Sequence, residues 1–129
     1  MGQYRTPLSR ARGLGAAGHG AGHWISERVS SVALVPLMLW AVYAALHLAP
    51  LGRDQAMVWL AQPLNAVLML LTFAISFWHM HSGLRVVIED YIETIGLRSA
   101  ALLANLFVCV LAGGLALFSI LKIALGGAL

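Results

Sequence analysis

The sequence predicts an all-α membrane protein of three transmembrane helices, with the N-terminus cytoplasmic and the C-terminus periplasmic. Three observations carry that prediction. The 129-residue chain is 60% hydrophobic and only 10% charged, whereas a soluble domain carries about a quarter charged residues. The charges leave three long uncharged runs, each with room for the roughly 20 apolar residues that a spanning helix needs. Lipid offers no partner to a backbone N–H or C=O, so helices are the sensible form for such runs.

The elements follow in order. Residues 1–22 form a Gly- and Arg-rich segment with no apolar stretch of the kind a cleavable signal needs, so none is expected. Alone it should be flexible. Residues 23–129 form one transmembrane domain. No charge lies between Arg28 and Arg53, and the first span fits 29–49. Pro36 falls inside it, where a missing N–H predicts a local bend. A loop of about 50–59 follows. No charge lies between Asp54 and Arg85, and the second span fits 60–84, continuing to about 91. Pro63 sits near its start, where the absent N–H costs little. The third span fits 99–121, between Arg98 and Lys122. The tail Gly126 to Leu129 is expected to fray.

Orientation follows from the basic residues. Arg5, Arg10, Arg12 and Arg28 precede the first span, and Arg85 and Arg98 flank the second loop; Arg53 and Lys122 lie on the other side. Six against two puts the N-terminus inside. The net charge of +3 is therefore an orientation signal, and nucleic acid is not an expected partner. The single cysteine, Cys109, excludes an intrachain disulfide and a cysteine-based metal site. No internal repeat is visible.

The chemistry sits in the stretch Trp78-His79-Met80-His81-Ser82-Gly83-Leu84-Arg85-Val86-Val87-Ile88-Glu89-Asp90-Tyr91. Histidines inside a bilayer are rare without a task. A redox cofactor beside a second small-molecule site would suit a buried histidine with a polar pair three turns on. His19, His23 and His47 fall before the first span or at its outer end, where a solvated or interfacial role suffices. His79 lies six residues before Arg85, about 9 Å inside the inner interface. It is either a ligand or a histidine hydrogen-bonded to a neighbouring helix. His79 and His81 point about 200° apart on a helix and cannot share one iron. If His79 binds a low-spin haem, the sixth ligand comes from another chain. Gly83, one turn beyond His79 on the same face, would admit a flat macrocycle or a second helix.

Asp90 and Tyr91 stand about 17–18 Å further along a continuous helix, at the inner surface. Tyr91 is either an interface anchor or a phenol donor to a quinone carbonyl, supported by Asp90. Arg28 is either a topology signal or a clamp for an anionic group such as a haem propionate, which the planar guanidinium fork suits. Ser26, Ser30 and Ser31 crowd around it.

The run His23-Trp24-Ile25-Ser26-Glu27-Arg28-Val29-Ser30-Ser31 resembles the His-Trp-x-Ser-Glu-Arg-x-x-Ser stretch that opens the first helix in the family of small succinate dehydrogenase membrane anchors. His79-x-His81-x-Gly83-x-x-Val86-Val87-x-x-Asp90-Tyr91 looks like the same family's second signature, and Arg10-Ala11-Arg12-Gly13-Leu14-Gly15 is similar to the N-terminus of its bacterial members. Together the matches cover most of residues 10–91. The third helix matches only in hydrophobicity.

The resemblance implies a mechanism. Succinate is oxidised on a flavoprotein subunit, and electrons pass through an iron–sulfur subunit to ubiquinone, bound where that subunit meets two anchor chains sharing one haem b. On this chain His79 would be the axial ligand to the haem iron, and His81 would not. Tyr91 would hydrogen-bond the quinone, with Asp90 as support. Arg28 would lie near the haem propionates and the quinone pocket. The second axial histidine would come from the other anchor chain. The N-terminal segment would order against the iron–sulfur subunit.

Two residues depart from the family's pattern: Arg85, where relatives commonly carry glutamine, and Glu93, where many carry histidine or lysine. Both sit by the inner interface, where they would alter contacts with the iron–sulfur subunit or lipid. The chain has no dinucleotide fingerprint, so it would be an enzyme subunit, not an enzyme alone. Two alternatives remain: a fumarate reductase anchor, and a cofactor-free structural or assembly membrane protein. A transporter subunit lacks the paired charges and broken helices it would need. Basic residues at the inner face would also suit anionic lipid.

Overall fold

A computed structural model describes residues 6–8 and 20–126. Arg5, the stretch Arg10 to Gly15, His19 and the tail beyond Gly126 lie outside the described residues, as does most of the segment 1–22. From Gly20 on, the helices in chain order are α1 (Gly20–Leu48), α2 (Arg53–Ala61), α3 (Pro63–Tyr91) and α4 (Ile95–Ala124). No strand occurs among the described residues. Among the described residues three helices are long and apolar enough to cross a membrane, namely Ala21–Leu48, Pro63–Tyr91 and Ile95–Ala124. At 1.5 Å per residue each runs about 42–45 Å, beyond the roughly 30 Å hydrocarbon core.

The expected spans are therefore the middles of longer helices. α1 begins at Gly20, so the motif from His23 to Arg28 is already helical, and the helix continues through Pro36. The expected loop of 50–59 and the expected start of the second span at Leu60 need correction. Residues Arg53–Ala61 form the nine-residue helix α2, and α3 starts at Pro63. Gln62 takes an extended conformation (φ −62°, ψ 132°) between the two. The cause is local: the proline ring pushes the preceding residue out of the helical region, and Pro63 itself is well placed as a first helical residue. Asn65 then closes the corner, its Nδ2 donating to the Trp59 carbonyl at 2.9 Å and to Gln62 Oε1 at 3.3 Å.

The expected continuation of the second span to Tyr91 is what the structure shows. Only three residues separate α3 from α4, so the two run antiparallel. α4 ends at Ala124, and two residues on Gly126 takes a φ of +70°, open to glycine without strain.

α3 is the central helix. α4 and α1 both pack mainly on it, and α2 rests on α3 and α4. Where α4 crosses α3, a Cβ on Gly113 would meet Phe77 Cγ at 3.2 Å. Small residues let membrane helices approach closely in this way. Few side chains are buried; the apolar ones are Leu37, Ala44, Ala66 and Cys109. Large apolar side chains such as Val32, Leu39, Leu46, Phe107 and Leu111 are exposed. A water-soluble fold hides such residues in a core, so lipid or other chains must cover these.

Candidate functional site

The two histidines of α3 leave it on opposite sides, as helical geometry requires. His79 faces α1, where its Nδ1 lies 3.0 Å from Ser30 Oγ. His81 faces α4, where its Nδ1 lies 3.2 Å from Asn105 Nδ2. They cannot serve one iron together.

The partners also fix where each ring carries its proton. Ser30 Oγ donates to the Glu27 carbonyl at 3.0 Å. A hydroxyl has one proton and a carbonyl has none to give. With that proton on the carbonyl, Ser30 accepts from His79; this assignment places the ring proton on Nδ1 and leaves the Nε2 lone pair free. His81 is the reverse. Asn105 Nδ2 donates to the His81 main-chain carbonyl at 3.0 Å, which orients the amide, and the same NH2 group meets the ring Nδ1. Cys109 Sγ donates to Asn105 Oδ1 at 3.3 Å, completing that side of the amide. His81 therefore accepts at Nδ1 and carries its proton on Nε2. Of the two rings, only His79 offers an uncommitted nitrogen lone pair.

The wall behind His79 is built by a ladder of serines. Ser26 and Ser30 are one turn apart on α1. Trp78 Nε1 donates to Ser26 Oγ at 3.3 Å, beside the Ser30–His79 bond. Ser31 turns back to the Glu27 carbonyl at 2.7 Å. Ser30 is only 7% exposed, so water does not compete for its hydroxyl. On the other side, a Cβ built on Gly83 meets nothing within 4 Å, so the face one turn beyond His79 is open. An apolar groove of about 550 Å³ runs between α1 and α3, with Met38, Ala44, Thr72, Phe77 and Met80 in its walls and no titratable side chain.

The other expected site residues lie apart from His79. Arg28 is exposed, with its guanidinium carbon 5.5 Å from the centre of the Trp24 ring. Ser26 and Ser30 are each two residues from it, so Arg28 points away from the face they present to α3. Asp90 and Tyr91 are exposed at the end of α3, and Tyr91 is 82% exposed. His23 lies 3.9 Å from Glu27 on the exposed start of α1. His47 stacks on Tyr43 (5.9 Å) and tilts against Trp59 (5.3 Å). The departure at Arg85 has a partner within its own helix: its Nε donates to Glu89 Oε1 at 2.8 Å, one turn on.

Sequence reasoning missed Asn105 and underused Ser30. Each is a polar residue inside an apolar run, which was the available signal. No group of three or more His, Cys, Asp or Glu gathers among the described residues.

Comparison with known proteins agrees with the motifs. The model of the family described as "Succinate dehydrogenase/Fumarate reductase transmembrane subunit" matches residues 2–113. A relative from Rickettsia conorii, named succinate dehydrogenase hydrophobic membrane anchor subunit, is 32% identical over 108 residues, covering 83% of this chain and 86% of its own. A protein of the same name from Rickettsia bellii is 33% identical over 103 residues (78% and 81%). One from Paracoccus denitrificans is 31% identical over 101 residues, 78% of each chain. No solved structure matches. With most of its length matched by the family and its three long apolar helices in place, the chain belongs to the succinate dehydrogenase/fumarate reductase transmembrane subunit family.

Proposed function

We propose that this chain is the small hydrophobic anchor of a succinate dehydrogenase. It holds the flavoprotein and iron–sulfur subunits to a bacterial inner membrane, with the N-terminus cytoplasmic. With a second anchor chain it binds one haem b and forms part of the ubiquinone site. The observation that carries the cofactor reading is the state of His79: its Nδ1 is committed to Ser30 and its Nε2 is free. Metal-bound histidines have this arrangement, with the second ring nitrogen donating to a fixed acceptor.

The residues present fit a haem. His79 would hold the haem through its Nε2, with the partner anchor chain supplying the other ligand. Gly83 leaves the adjacent face open to a flat ring. Arg28 supplies a cation near the same end of the membrane for propionates. When bound, the haem supplies one-electron storage close to the quinone. The chain's own residues bind and orient: His79 through Nε2, Ser30 by fixing the ring, and Tyr91 by donating its hydroxyl to a quinone carbonyl, with Asp90 beside it. His81 is spoken for by Asn105 and stays out of the iron's coordination.

The relatives bear the name succinate dehydrogenase, which favours succinate oxidation over the fumarate reductase direction. The test is a reduced-minus-oxidised optical spectrum of the purified complex, wild type beside His79→Ala. Loss or clear perturbation of a haem b signal in the variant is expected. An unchanged signal in the variant would assign the iron to another residue. No signal in the wild type would leave a cofactor-free anchor.

A further inference from the structure

The geometry points to Ser30 as the positioning residue of the haem ligand: through Nδ1 of His79 it sets both the aim of Nε2 and the electron density that the ring gives the iron. This rests on the reading of His79 as the axial ligand.

Four observations support it. Ser30 is among the few buried polar residues of the chain. Its hydroxyl is bonded on both sides, to the Glu27 carbonyl and to His79, each at 3.0 Å. The bond joins two different helices, so it fixes the ring against α1 and not merely against its own backbone. Finally, the serines of the family-like stretch His-Trp-x-Ser-Glu-Arg-x-x-Ser are Ser26, which accepts from Trp78, and Ser31, which hydrogen-bonds back to Glu27. The residue that reaches His79 is Ser30, which fills a variable position of that stretch.

The physical consequence follows from the direction of the bond. An imidazole that donates through Nδ1–H to an oxygen acceptor becomes a richer donor at Nε2. In turn, Ser30 passes its own proton to a carbonyl, which strengthens it as an acceptor. A richer ligand favours the ferric over the ferrous state. With little water present, nothing replaces the lost acceptor when the hydroxyl is removed. Deleting it therefore weakens the ligand and favours ferrous haem.

The experiment is a redox titration of the haem, with its low-spin paramagnetic resonance signal, in the intact complex purified from membranes. Ser30→Ala is expected to raise the midpoint potential and shift the resonance. The expected change in the ferrous-to-ferric ratio at the wild-type midpoint is on the order of tenfold, the lower end of what losing such an outer partner does; for one electron each tenfold is about 59 mV. Ser30→Thr keeps the hydroxyl and should stay close to wild type, whereas Ser30→Val, of the same shape, should behave as alanine. That pair decides the matter if the alanine variant assembles poorly. Ser26→Ala removes the neighbouring Trp78 bond and leaves His79 untouched, so it should titrate as wild type. The inference is overturned if Ser30→Val titrates with Ser30→Thr, or if Ser26→Ala shifts the potential as far as Ser30→Ala. His79→Ala, read optically alongside, separates the two claims. If it perturbs the haem and Ser30→Val does not, the ligand reading stands and the role of Ser30 falls. If it leaves the haem unchanged, both fall.

Discussion

Asn105 on α4 grips His81 on α3 at two points, its Nδ2 lying 3.0 Å from the main-chain carbonyl and 3.2 Å from ring Nδ1. A carbonyl in a continuous helix already has its own helical partner, so the extra bond is a strap between helices. The strap commits the His81 ring to α4. It also explains how two histidines two residues apart can do unlike work: one is held by α1 with Nε2 free, the other by α4 with Nδ1 filled.

Removing the strap should loosen the α3–α4 pair without touching His79, the proposed haem ligand. Asn105 is 8% exposed, and interhelical hydrogen bonds in membranes are worth about 0.6 kcal/mol on average, up to about 1.7. Asn105→Ala also leaves Cys109 without its acceptor. A loss of about 1–2 kcal/mol is expected, read as a lower thermal midpoint of the detergent-solubilised complex with the haem spectrum retained. Unchanged stability would mean that the helix pair is held by packing alone.

That packing has one tight point, at Gly113 against Phe77. A methyl at 3.2 Å from Phe77 Cγ asks the ring to give slightly, so Gly113→Ala is expected to be mild. Gly113→Leu has no such room, and overpacking costs about 1–3 kcal/mol. Shortening the opposing side chain should restore part of it. The measurement is assembled yield and thermal midpoint for Gly113→Leu, alone and with Phe77→Ala. Equal loss in the single and the double variant would show that the two residues do not oppose each other.

One side chain, Trp59, ties α2 to α1. None of its residues is buried, yet Trp59 stacks on Trp40 at 6.2 Å, meets His47, and lends its carbonyl to Asn65. Aromatic pairs contribute about 0.5–1.5 kcal/mol each. Trp59→Ala should free the helix locally, raising amide exchange across residues 53–61 by about threefold to tenfold while the haem spectrum stays constant. If exchange rises equally along α1 and α3, Trp59 supports the whole bundle and not this one helix.

Much of this was legible in the sequence, because a membrane span is defined by what it lacks. The absence of charge between Arg28 and Arg53, Asp54 and Arg85, and Arg98 and Lys122 located all three helices. The 100° turn per residue separated His79 from His81 before any contact was known. Other features depended on which helix lies beside which. Ser30 reads as a small residue near Arg28 until α1 is set against α3. Asn105 reads as a stray polar residue until α4 meets His81. α2 was hidden because Asp54 and Gln55 break the apolar pattern, leaving a stretch of 50–59 that looks like a loop. Arg85, which stands out beside the family's pattern, is answered by Glu89 one turn later, an exposed pair worth about 0.3–0.5 kcal/mol.

The far end of α3 carries the proposed quinone donor. Tyr91 is 82% exposed, and neither its side chain nor that of Asp90 makes a hydrogen bond or ion pair with another described residue; the only acid–base pair nearby among them is Arg85 with Glu89. A phenol held this way is available to something outside the chain. An interface anchor needs the ring, whereas a quinone donor needs the hydroxyl, so Tyr91→Phe separates the two. Losing one neutral hydrogen bond is worth about 0.5–1.5 kcal/mol. Ubiquinone reduction by succinate should therefore fall about threefold to tenfold, while reduction of a soluble dye that takes electrons before the membrane is unchanged. A fall in both activities would point to faulty assembly of the iron–sulfur subunit on this surface. If neither activity changes, the ring alone matters and Tyr91 is an anchor at the membrane edge.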